Sequence, residues 1–143
     1  MNLETLERES NGGTISARRE ERTFIAGESI VAGDWVAFDG SQSANGDKFL
    51  FVVQASTAAN KKACFGVALT DADANDLVEV VIAGPVLANV HNLVAKDEFL
   101  IIGATGGKTI KATTNDLVPI VGQALQGYVG AGAQTLCRVH RSY

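Results

Sequence analysis

From Phe24 onward the apolar residues of this chain fall in short runs separated by glycine, asparagine and aspartate. Trp35-Val36-Ala37-Phe38 is framed by Ala32-Gly33-Asp34 and Asp39-Gly40. Phe49-Leu50-Phe51-Val52-Val53 follows Asn45-Gly46-Asp47, and Val78-Glu79-Val80-Val81-Ile82 runs into Ala83-Gly84-Pro85. Further runs cover 86–90, 99–102, 109–112, 118–125 and 135–140. Runs this short, rich in β-branched residues and closed by turn formers, predict β-strands. No stretch beyond about ten residues keeps the i, i+3, i+4 spacing of an amphipathic helix. The spacing predicts an all-β fold, a small barrel or sandwich. Fifteen glycines against two prolines fit a chain with many tight turns.

The pattern changes near Thr23. Residues 1–23 carry five Glu and four Arg, nine charges, whereas the other 120 residues carry 19. Leu3 and Leu6 are the only large aliphatics before Ile15, so this segment cannot build a core of its own. The expected organisation is a charged N-terminal arm over 1–23 and a β-rich domain over 24–143. A short helix over Leu3–Glu9, capped by Asn2, is a local possibility within the arm. The run Arg18-Arg19-Glu20-Glu21-Arg22 mixes both signs. That makes it a poor nucleic-acid patch and a candidate rim for protein contacts.

Charge and hydropathy narrow the classes. A net charge of -4 does not supply the basic footprint that phosphate binding needs. No apolar stretch reaches the roughly 18 residues of a membrane helix. The start of the chain, with Glu4, Glu7 and Arg8, lacks the apolar region of a signal peptide, which implies synthesis in the cytosol. With 143 residues the chain can bury about 70% of its unfolded surface without metal or disulfide staples. Cys64 and Cys137 form no CxxC pair, so buried free thiols are expected.

A weak internal echo runs through the domain. Ile30-Val31-Ala32-Gly33-Asp34-Trp35-Val36 resembles Leu93-Val94-Ala95-Lys96-Asp97-Glu98-Phe99, and Phe65-Gly66-Val67-Ala68-Leu69 resembles Val121-Gly122-Gln123-Ala124-Leu125. The order is kept in both halves, which predicts two similar β-units on one core.

Four motifs invite chemistry and do not support it. The segment 103–109, Gly-Ala-Thr-Gly-Gly-Lys-Thr, lacks the first glycine of a phosphate loop, since position 102 is Ile, and a strand rather than a helix is expected after it. The segment 71–76 begins like a calcium loop but has Asp76 where glycine belongs and Ile82 where a bidentate Glu belongs. His91 and His140 stand singly, each at the expected end of a strand. No Ser or Cys sits in a nucleophile signature. Arg138 and Arg141 would guard the last strand if it were a sheet edge. No catalytic residue, cofactor or metal ligand is assigned.

The ordered set 26–36 (Ala-Gly-Glu-Ser-Ile-Val-Ala-Gly-Asp-Trp-Val), 65–72 (Phe-Gly-Val-Ala-Leu-Thr-Asp-Ala) and 77–84 (Leu-Val-Glu-Val-Val-Ile-Ala-Gly), with 93–97 and 121–125, resembles the small capsid decoration (cement) proteins of tailed bacteriophages. The resemblance covers roughly residues 24–141. It implies a compact, β-tulip-like fold that forms homotrimers on the outside of the virion head. There such proteins clamp the major capsid protein around threefold or quasi-threefold axes, with an extended arm reaching the shell or a neighbour. It implies no catalytic residues. Two other readings stay open. A carbohydrate-binding or tail-associated module would need an exposed aromatic platform, and the chain has nine aromatics with Trp35 inside an apparent strand. An enzyme or enzyme subunit would need convergent titratable groups in a pocket.

Overall fold

The computed structural model describes residues 18–91, 93–113, 119–130 and 134–140. Among them are nine strands: β1 (Glu20–Ala26), β2 (Trp35–Phe38), β3 (Phe51–Gln54), β4 (Cys64–Ala68), β5 (Leu77–Ala88), β6 (Phe99–Ile102), β7 (Thr109–Lys111), β8 (Gly122–Ala124) and β9 (Thr135–Val139). One short helix, α1 (Asn45–Lys48), precedes β3. The all-β expectation holds. The strand order is β1-β3-β2-β4-β5-β9-β8-β6-β7, and β1 also pairs with β5, which closes β1 to β5 into a five-stranded barrel.

The order repeats on the two sides of β5. The ladder β5-β4-β2-β3 on one side matches β9-β8-β6-β7 on the other. The second group is closed by a parallel bridge between Val90 and Thr109, the counterpart of the parallel pair Ala26 and Val52. The chain is therefore two similar barrels that share β5. Its first half completes barrel 1, and its second half opens barrel 2 in the role that β1 plays in barrel 1. Individual hydrogen bonds repeat as well. Gly33 N–H donates to Ala68 O and Asp97 N–H to Ala124 O; Leu69 N–H donates to Glu79 O and Leu125 N–H to Leu136 O.

This corrects the alignment of the sequence echo by one residue. Val31 N–H donates to the Asp34 carboxylate and Ala95 N–H to that of Glu98, so Asp34 corresponds to Glu98, not to Asp97. The positive φ falls at Gly33 and Asp97, and Trp35 corresponds to Phe99. The second echo stands as read. Gly66 and Gly122 pair with Val36 and Leu100. A Cβ on Gly122 would lie 2.5 Å from Arg138 O, and one on Gly66 would strike the matching carbonyl of Val81. The glycine of the Gly-x-Ala-Leu motif lets two backbones approach closely.

Other expectations need adjustment. Residues 77–88 form one strand, not two, because Gly84 and Pro85 bend β5 without ending it. Gly84 takes φ +102° where the backbone of Arg18 and Arg19 crosses it. Its neighbour Pro85 still pairs in register with Arg138. Phe49 and Leu50 belong to the turn after α1 rather than to β3. The compositional boundary at Thr23 falls inside β1, since Glu20–Thr23 pair with β5. The arm proper and the helix expected over 3–9 lie outside the described residues. β9 lies between β5 and β8 and is not an edge, so Arg138 guards none; Arg141 is outside the described residues.

Two clusters form the core. Ala26, Ile30, Val36, Val52, Phe65, Val78, Val80 and Ile82 fill barrel 1, with Phe24 and Phe38 packed against them. Val90, Val94, Leu100, Val121, Ala124, Cys137 and Val139 fill barrel 2 at the corresponding positions. The same second cluster takes in Trp35, Ala37, Val67 and Val81, which point out of barrel 1 toward barrel 2.

Candidate interaction surfaces

The inter-barrel junction decides which faces remain free. Trp35 is fully buried there, its ring beneath Gly122 and its backbone N–H donated to Gly107 O, while its indole Nε1 is buried without a hydrogen-bond partner. Gly107 N–H donates to Ala55 O, and Asn89 N–H donates to Gly33 O. Asp34 ties the junction together: its carboxylate accepts from Val31 N–H, from Gln54 Nε2 at 2.8 Å and from Asn89 Nδ2 at 3.1 Å. Gln134 Nε2 adds a bond to Ala32 O. The glycine-rich segment 103–109 is the β6–β7 hairpin. Its Gly107 and Thr109 amides donate to Ala55 and Asn89, so they bind protein carbonyls rather than a phosphate.

The run singled out for protein contact lies along the start of β1. Arg18 and Arg22 are exposed, while Arg19, Glu20 and Glu21 are half-buried. Arg19 Nε and Glu21 Oε1 form an ion pair at 2.7 Å, and Arg22 donates to Glu21 O. Glu20 pairs with Ala83 and Glu21 with Val81 on β5. The structure thus brings the five residues together on one ribbon beside the bend at Gly84, where barrel 1 hands over to barrel 2. A half-buried ion pair at the surface adds modest stability at most.

Other polar groups sort into structural roles. Asp71, Asp73 and Asp76 line a shallow depression with Ser29. Asp71 Oδ1 accepts Ala32 N–H, and the twelfth position, Ile82, lies in the barrel 1 core. Among the described residues no group of three or more His, Cys, Asp or Glu is placed to hold a metal. Cys64, half-buried, and Cys137, buried, are free thiols against one core cluster, and burial pushes both up to about 12, so they stay protonated. His91 is exposed, its Nδ1 accepting Leu93 N–H. The ring of His140 lies 6.1 Å from that of Phe99, and burial and the Arg138 charge hold its pKa below the usual value.

Sequence reasoning missed the apolar surface. Phe49 and Leu77 are each 69% exposed, Leu50 is 42% exposed, and Phe99, on barrel 2, is 46% exposed. A large side chain at a strand end or turn gives no sequence signal of which way it points. Phe49 packs edge-on against Phe38, which itself stacks on Phe65 at 4.0 Å. No aromatic platform forms around Trp35, which is enclosed.

No family model matches the chain, and no curated protein matches it. A solved structure, "The crystal structure of head fiber gp8.5 N base in bacteriophage phi29", is similar in fold. The TM-score is 0.53 at 18% identity, over 86% of this chain and 95% of that chain. A likeness at this identity is one of fold.

Proposed function

We propose that this chain is a structural protein of a tailed-phage virion. It binds the outer surface of the head as a homotrimeric decoration protein and stabilises contacts between major capsid subunits. The observation that carries the reading is the fold likeness to the base of a phage head fibre over nearly the whole of both chains. It joins the resemblance to cement proteins drawn from the residues themselves. Protonated thiols and a solvated acidic turn are compatible with a binding role. Symmetry of a shell multiplies modest contacts into firm attachment. In this reading the Arg18–Arg22 ribbon, with Arg18 and Arg22 exposed, continues the charged arm and meets the shell.

The test is uptake by expanded heads that lack the protein, measured by co-sedimentation. The reading predicts saturable uptake at a fixed ratio to the major capsid protein. Heads that sediment without the chain at every concentration would overturn it.

A further inference from the structure

The two barrels meet through a contact that is not self-complementary. Barrel 2 presents Asn89, Gly106, Gly107 and Gln134, and barrel 1 receives them around Gly33, Asp34, Trp35 and Gln54. Because the barrels repeat, each has a counterpart of the other's contact face. Register places Ile25 of barrel 1 at the position of Asn89 and Leu77 at that of Gln134. Counting back from β3 and β7 places Phe49 and Leu50 at Gly106 and Gly107. On barrel 2, Phe99 holds the place of Trp35 and Lys111 that of Gln54. Trp35 is fully buried because a barrel covers it, whereas Phe99 is 46% exposed. At the other end, Phe49, Leu50 and Leu77 are large apolar groups left in solvent. One face lacks its following barrel and the other its preceding one.

We propose that copies of this chain join head to tail, the Phe49-Leu50-Leu77 face of one copy covering the Phe99 face of the next, in repetition of the contact between the two barrels. A contact of this kind uses two different surfaces, so it closes into a ring or runs on as a filament. Large apolar side chains exposed together on one face, as Phe49, Leu50 and Leu77 are, are candidates for such a contact. The proposal deepens the homotrimer of the preceding reading and rests on it for ring closure at three copies. Lys111, paired with Leu100 next to Phe99, and Lys96 are exposed and leave the rim of the contact polar.

The test uses two full-length variants, Leu77→Asp and Phe99→Glu. Both sites are exposed, so each variant should still unfold in one cooperative transition, which shows that it folds. Sedimentation should give the wild type as an assembly and each variant alone as a single chain of 15.0 kDa. Mixed together, the variants retain one intact copy of each face. They should form a one-to-one pair of 30.0 kDa, twice 15.0 kDa. A pair absent from the mixture, or a wild type that stays a single chain, overturns the proposal. So do variants that assemble like the wild type; the faces would then be covered by residues 1–17 or by the shell. Head uptake is scored in parallel. A single-chain wild type that still saturates heads overturns the contact alone, and an assembly that ignores heads overturns the head reading alone.

Discussion

Barrel 1 and barrel 2 share a backbone plan but not a filling. Where barrel 1 has Phe24, Phe38 and Phe65, barrel 2 has Ala88, Ile102 and Val121; where barrel 1 has Val52 and Val78, barrel 2 has Thr109 and Thr135. The rings give barrel 1 an aromatic ladder, Phe24 on Phe65 at 5.0 Å and Phe65 on Phe38 at 4.0 Å. The threonines leave barrel 2 two buried hydroxyls, and neither Oγ1 finds a hydrogen-bond partner. Barrel 2 instead gains core from outside itself, because Trp35, Val67 and Val81 of barrel 1 join its cluster. One register thus tolerates different interiors, and the weaker interior is the one that leans on its neighbour.

The largest break in the comparison is at the matched pair Trp35 and Phe99. Trp35→Ala should cost about 4 kcal/mol, because the ring is fully enclosed at the junction. Phe99→Ala, measured at dilutions where the chain is single, should cost under about 1 kcal/mol. Denaturant midpoints check both, and equal losses would mean that Phe99 is as enclosed as Trp35. The threonines sharpen the comparison further. Thr109→Val and Thr135→Val give barrel 2 the residues of barrel 1 and remove unpartnered buried hydroxyls, so each should raise stability by about 1 kcal/mol. Val52→Thr and Val78→Thr should lower it by about 1 to 3 kcal/mol.

The smallest effect is in pH. His140 has no histidine counterpart in the described part of barrel 1, and its folded pKa lies below 6.5 because of burial and the Arg138 charge. Between the folded and unfolded values the unfolded chain binds the proton more readily, so stability rises with pH there. The contribution of His140 is complete above about pH 6.5 and is lost as pH falls through the folded value. His140→Asn should flatten that part of the profile, measured by thermal melts across pH 5 to 8.

The sequence made the strands legible where β-branched runs met turn residues, as at Trp35–Phe38 and Phe99–Ile102. It also carried the repeat, through the Gly-x-Ala-Leu motif that Gly66 and Gly122 need for close approach. It misplaced the echo by one residue because the acid that caps the turn is Asp in one barrel and Glu in the other, and Asp97 sits one place early. It split β5 because Gly-Pro ordinarily ends a strand, and only the crossing of Arg18 and Arg19 explains the bend. The inter-barrel lock at Asp34 and the free apolar faces were invisible, since both depend on how one barrel docks on the other.

The most direct measurement of the central claim is a cryo-electron microscopy reconstruction of expanded heads incubated with the chain. The account predicts twin-barrel density at symmetry-related positions on the outer surface, each contacting more than one major capsid subunit. Density confined to the tail, or a shell without added density, would contradict it.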